Sequence, residues 1–198
     1  MFSCQHLKSS LLIVLTSLAV AGCEVVELDS AGKPIIPMSA EEAASLANMD
    51  PKDVVTKMWT DIVQDAQKAP ISLESLENKK ENDKSYFVRF SGVVEQVEVK
   101  SKFITVSVNT GNEIIPIQVG SMIKGNAIRD ASSLLSFDQF KNQIQYSKLA
   151  KELNKSAVQN LVKLDDSSVG KKVDVLSALT IKGDNIQNVV PLDIKIVE

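Results

Sequence analysis

From Tyr86 onward the apolar residues alternate with polar ones, and that period constrains the fold more than any other feature of the chain. Tyr86, Val88 and Phe90 alternate with Phe87 and Arg89, and after Gly92 the pattern resumes through Val97 and Val99. Successive strand side chains point to opposite faces, so this is one long half-buried strand bent at Gly92. Lys100 to Lys102 turn it into a second strand at Ile104, Val106 and Val108, and Asn109-Thr110-Gly111-Asn112 turns that into a third at Ile115, Ile117 and Val119. Gly170 then precedes Val173, Val175, Leu179 and Ile181, and Lys182-Gly183-Asp184-Asn185 leads into Leu192, Ile194 and Ile196.

Between the third and fourth strands the period becomes helical. Ser136 followed by Gln139 has the capping-box spacing, which predicts a helix from Phe137 with Phe137, Phe140, Ile144, Leu149 and Leu153 on its buried side. A second short helix is expected near Ala157 to Lys163. Three strands, a helical insertion and two more strands give an α+β chain: a five-stranded OB-like barrel with helices inserted between strands 3 and 4. The same elements also fit an open sheet with helices packed on one face.

Ahead of the strands lies a small helical segment, residues 40–84. Ala40–Ala47 can form a short helix, and Asp50 as N-cap with Pro51 at the first position opens a firmer one. Val55, Met58, Trp59, Ile62 and Ala66 line one face of it before Pro70 ends it. Trp59 fits a core anchor, and it also fits a platform for stacking a ligand. Ser72–Asn82 can add a further turn. The strand domain then occupies residues 85–198.

Residues 1–22 have the build of a processing signal. Lys8 precedes an apolar run from Leu11 to Val20 that is about half the ~20 residues a membrane span requires, and Val20-Ala21-Gly22-Cys23 resembles the lipobox cut before a lipidated cysteine. Cys23 is then the acylated N-terminus, joined to the domain by a tether over residues 23–39 that contains Gly32, Pro34 and Pro37. Glu24 in place of Asp favours the outer membrane, by resemblance to bacterial sorting rules.

Cleavage there removes Cys4 and His6, the one histidine of the sequence. Cys- and His-based metal sites, Ser-His-Asp triads, Cys-His nucleophiles and disulfides are thereby excluded, and no cofactor is expected. The formal charge of −3 becomes more negative when Lys8 is lost, which argues against an electrostatic nucleic-acid binder. Gly120 and Gly125 have P-loop spacing, but Asn126-Ala127 stand where the phosphate-binding Lys and Ser/Thr belong. Ser121-x-x-Lys124 lacks its companion motifs, and Asp165-Asp166 lacks a calcium-loop pattern.

Arg129 and Asp130 sit between a buried strand and a buried helix, where both charges need partners. With Asn142 and Gln143 they form a candidate polar cluster in which the helix turns back over the Arg-Asp loop. One reading is structural, pinning a glycine-rich crossing through Gly120 and Gly125; the other is a patch for a small polyol or a partner loop.

Gly120, Ile123, Gly125, Ala127, Arg129 and Asp130, followed by Phe137, Phe140, Asn142, Gln143 and Ile144 and then Leu153 and Asn154, resemble the signature of an uncharacterised family of predicted periplasmic lipoproteins. Ser121, Asn126 and Ile128 depart from its usual Pro, Thr and Leu. That family is often encoded beside sugar ABC-transporter genes. The resemblance implies a lipid-anchored protein on the periplasmic side of a bacterial membrane, with no known activity. Two functions follow: a non-catalytic accessory or interaction protein associated with ABC-transporter components, or a module that binds a sugar or oligosaccharide. Phe87, Phe103 and Trp59 discriminate between them, because a sugar face displays aromatics beside amides and carboxylates, whereas burial of all three favours the interaction protein.

Overall fold

A computed structural model of the chain describes residue 41 and residues 45–78 and 81–197. The leader, Cys23 and the tether lie outside the described residues, as does most of the helix expected over Ala40–Ala47; Leu46–Asn48 form a 3-10 turn. Helix α1, Pro51–Lys68, starts where Asp50 and Pro51 place it. The Asp50 carboxylate accepts the Lys52 N–H at 2.9 Å, and Pro51 fills a position whose N–H has no intrahelical partner to lose. Val54, Val55, Ile62 and Ala66 are buried, and Met58 and Trp59 are half-buried beside them.

Ile71–Ser72 form a two-residue strand, β1, pairing in parallel with Val88 and Arg89. The described sheet thus has six strands where the alternation predicts five, because two residues are too few to leave a period. The Ser72 hydroxyl accepts the Ser75 N–H at 3.2 Å and opens α2, Leu73–Glu77.

Strand β2, Ser85–Lys100, pairs antiparallel with β5, Lys172–Lys182, over Ser85–Val93 and with β3, Phe103–Asn109, from Val93 onward. Gly92 stands at the changeover. A Cβ there would lie 2.5 Å from the Asn109 carbonyl oxygen and 2.7 Å from Val108 Cγ1, so no side chain fits where the strand changes partner. Strand β4, Ile114–Gln118, continues the meander; β6, Asn185–Val197, pairs antiparallel with β5 and meets β4 in parallel at Ile117 and Val189. The ladders β2–β3–β4–β6–β5 therefore return to β2.

The two faces of this sheet bury different cores. Inward lie Val88, Phe90, Val106, Ile117, Val175 and Ile194 among others. Outward, Leu176, Ala178, Val190 and Leu192 pack under α1 and under α3, Ala127–Ala131, and α4, Gln143–Gln159. Strand β5 is buried on both faces through its middle.

The helical insertion departs from its expected form. Phe137–Gln139 make a single 3-10 turn, and the long helix starts six residues later at Gln143. Gln139 does reach back to the Ser136 N–H at 2.8 Å, but the Ser136 hydroxyl donates to the Asp138 carboxylate, and Phe140 is extended at φ −123°, ψ 152°. Phe137 and Ile144 are consequently exposed, at 49% and 68%, while Phe140, Leu149 and Leu153 are buried. No separate helix forms near Ala157–Lys163, because α4 runs through Ala157 to Gln159 and ends there.

Candidate functional site

The crossing from β4 to α3 is held at both ends by glycine. A Cβ on Gly120 would lie 2.4 Å from both Ile104 N and the Lys102 carbonyl oxygen, and Gly125 has φ +88° with its Cβ direction blocked by Asn188. Between them the Gln118 side chain accepts the Lys124 N–H at 2.9 Å and donates to the Lys124 carbonyl at 3.1 Å. Met122 N–H donates to the Lys102 carbonyl at 3.1 Å, and Asn154 Nδ2 donates to the Gly125 carbonyl at 2.9 Å. The spacing that mimics a P-loop is thus a backbone-packing device.

Arg129 and Asp130 meet directly. The guanidinium places Nε 2.7 Å and Nη2 2.6 Å from Asp130 Oδ1, donates through Nη1 to the Tyr146 carbonyl at 3.1 Å, and stacks 3.9 Å from the Tyr146 ring centroid. The stacking, the two hydrogen bonds and the ion pair together offset burial of a side chain left only 11% exposed. Burial pushes the Tyr146 hydroxyl up from its ordinary range, and the Arg129 charge opposes that shift.

Asn142 and Gln143 do not join this pair. Asn142 caps α4, accepting the Gln145 N–H at 2.9 Å, and Gln143 is exposed in the first turn. Among the described residues no hydrogen bond links either of them to Arg129 or Asp130. The physical reason is the delayed helix start: with residues 137–142 outside α4, Tyr146 at the end of its first turn is the residue that faces Arg129.

Two polar contacts left no mark in the sequence. Gln145 Nε2 donates to the carbonyls of Leu46, Ala47 and Met49 at 3.3, 3.1 and 2.8 Å, and Asp65 accepts from Ser132 and Ser133, including the Ser133 N–H at 3.1 Å. A lone polar residue on an amphipathic helix carries no periodic signal, so neither is visible before the elements are packed. Asp165 is the cap of a 3-10 turn, and the Ser167 hydroxyl and N–H hold its carboxyl below the ordinary range. Among the described residues no three metal-ligating side chains come together.

Phe87, Phe103 and Trp59 are all half-buried, an outcome between the two extremes that would separate the readings. Phe87 and Trp59 pack against the helix-covered core. Phe103 lines a groove of about 480 Å3 over β3, β4 and β6 with Gln118, Gln187 and Asn188, and the Lys124 ammonium stands 5.0 Å above its ring.

A mixed α+β chain with a six-stranded sheet whose ladders close on β2 falls among OB-like folds. A crystal structure of an OB-fold protein from Thermotoga maritima is similar to it with a TM-score of 0.55 and 20% identity, covering 75% of this chain and 99% of that one. No curated protein matches the sequence. The chain belongs to the family described as "Predicted periplasmic lipoprotein (DUF2291)", whose model matches residues 13–195. Membership gives it a membrane-anchored address on the periplasmic side. Among the described residues no helix is long and apolar enough to cross a membrane.

Proposed function

We propose that this protein is a non-catalytic accessory lipoprotein that docks on another periplasmic protein, a component of a sugar ABC transporter, through the surface around Phe137 and Ile144. The observation that carries the reading is the exposure of these two residues, 49% and 68%, beside Tyr146 and Arg129. Phe137 stands edge-on to Tyr146 at 5.5 Å between centroids, and Phe140 supports the ring from 5.3 Å. A rigid aromatic cluster with an arginine already immobilised is the composition of an interface hot spot, since little side-chain entropy remains to be lost on binding. The transporter as partner rests on the gene association of the family the chain resembles. The closed circuit of ladders is, in this reading, an OB-type barrel acting as scaffold.

Crosslinking and affinity capture from native membranes test it. The transporter component is expected with the wild-type chain and lost with Phe137→Ala and Ile144→Asp, both variants melting as the wild type does. Equal recovery with the variants would overturn the surface. The alternative, a sugar- or oligosaccharide-binding module, draws support from the amides around Phe103. It is the weaker reading because Lys124 covers the ring face a sugar would stack on, and Gln118 is spent on Lys124. Saturable binding of a labelled oligosaccharide by the purified protein, abolished by Phe103→Ala, would reverse that order.

The anchor belongs to the same proposal: Cys23 is cut free and acylated, and Glu24 directs the chain to the outer membrane where there is one. Cys23→Ser is expected to leave a slower-migrating precursor that takes up no labelled palmitate. A variant that still labels would place the lipid elsewhere.

A further inference from the structure

The exposed side of α4 is basic. Lys148, Lys151 and Lys155 are all exposed and recur at three- and four-residue steps, so they share one face, opposite the buried Leu149, Leu153 and Ala157. Glu152 is the acidic residue of that helix, half-buried and 4.0 Å from Lys155. Beside the stripe the glycine-held loop projects Met122, which is 48% exposed. Loop and helix enclose a groove of about 330 Å3 lined by Ser121, Met122, Ile123, Lys151, Asn154 and Lys155, with the Glu152 carboxylate also on its wall beside Lys155. Asn154 is 5% exposed; its Nδ2 is used on the Gly125 carbonyl, and its Oδ1 is buried without a hydrogen-bond partner. A buried acceptor left unpaired is costly, and because Asn154 lines the groove, a small shift of its amide would bring Oδ1 within reach of a hydroxyl or ammonium donor there.

We propose that this face docks on the bilayer surface and that the groove takes the headgroup of an anionic phospholipid. The chemistry matches part by part. Lysine ammonium groups meet a phosphodiester, a headgroup hydroxyl meets Asn154 Oδ1, and the apolar Met122 and Ile123 meet the glycerol-ester layer. The place of the anchor supports the same occupant. Gln145 binds the incoming chain at Leu46, Ala47 and Met49 to this same helix, and the 22 residue-to-residue steps from Cys23 to Ser45 reach at most about 75 Å even when fully extended. Headgroups are therefore present at high effective concentration around α4. The inference rests on the family's membrane address and is separate from the partner surface at Phe137.

The test uses the full-length lipoprotein reconstituted into vesicles, with no other protein present, so that its failure and a failure to capture a transporter component are distinguishable. Reaction of Lys148, Lys151 and Lys155 with a membrane-impermeant amine reagent is followed by mass spectrometry in phosphatidylcholine vesicles and in vesicles that also contain phosphatidylglycerol. Protection of about fivefold or more is expected at each lysine in the anionic vesicles, relieved by high salt, with Lys57 and Lys172 unchanged as internal references. Met122 should oxidise more slowly in the same vesicles, and Lys148→Gln/Lys151→Gln/Lys155→Gln should remove that protection while the domain melts normally. Equal reactivity in both vesicles would overturn the proposal. So would protection conferred by inorganic phosphate in detergent without vesicles, which would assign the face to a soluble anion.

Discussion

Val175→Asp is expected to abolish cooperative melting near neutral pH. Val175 lies between Phe90 on β2 and Ile194 on β6, fully buried in the inner core. A carboxylate there has no partner and no water, and its burial costs at least ~3 kcal/mol against a total stability of about 5–15 kcal/mol. The pH dependence has a definite sign. An aspartate in that core has a folded pKa above its unfolded value of about 3.9, so the unfolded state releases the proton more readily and the variant loses stability as pH rises from about 4 toward the folded pKa. The gap in melting temperature between variant and wild type should narrow as pH falls to about 4. Lys172→Asp, on the same strand and exposed, should stay within about 0.5 kcal/mol of wild type. A Val175→Asp domain that melts like wild type would place that side chain outside the core and undo the shared interior of β2 and β5.

The alternation that predicts the burial of Val175 made the strands legible, and the reasons it worked show where it had to stop. Tyr86, Val88, Phe90, Val106, Ile115, Ile117 and Val173 face one interior because a strand has only two sides, so composition alone assigns them. Asp50 and Pro51 were equally legible because a helix N-terminus makes a local chemical demand that few residues meet. At Ser136 the same kind of demand is met, with Gln139 reaching back to the cap, but it opens only one 3-10 turn and not the long helix. Ser136 and Asn142 both suit an N-cap, and the choice between them is made by packing: Phe140 has to reach the core beside Leu149 and Leu153, which an extended residue ahead of the helix achieves. That choice also dissolved the four-residue cluster, leaving Arg129 with Asp130 and Tyr146, and Asn142 as a cap. The Gln145 bonds to Leu46, Ala47 and Met49 cross nearly a hundred residues of sequence, and no local pattern encodes such a pairing.

Of the alanine substitutions at Gly111, Gly120 and Gly125, Gly120→Ala is expected to cost the most, and for a reason different from the usual one. Gly111 and Gly125 have positive φ, at +93° and +88°, so alanine there meets the left-handed penalty of about 1–2 kcal/mol. At Gly111 nothing lies within 4 Å of the added carbon, and that penalty is the whole cost. At Gly125 the obstruction is the Asn188 side chain: its amide can rotate away, while its Cβ, 2.7 Å from the added carbon, yields only by a small shift of the Asn188 backbone. Gly120 has no positive φ, yet its Cβ would press on Ile104 N, the Lys102 carbonyl oxygen and Phe103 C, all of them backbone. Relief requires β3 and the loop to part, which strains packing by about 1–3 kcal/mol and stretches the hydrogen bonds from Val119 to Ile104 and from Met122 to Lys102, each worth about 0.5–1.5 kcal/mol. The expected order of destabilisation is therefore Gly120→Ala above Gly125→Ala above Gly111→Ala, with the first exceeding the last by at least ~1 kcal/mol in denaturant melts. Amide exchange localises the effect: the Val119 and Met122 N–H groups should lose protection in Gly120→Ala and keep it in Gly111→Ala. Equal costs at the three positions, or retained protection at Val119, would mean that the loop does not lie against the start of β3. The P-loop-like spacing would then need another explanation.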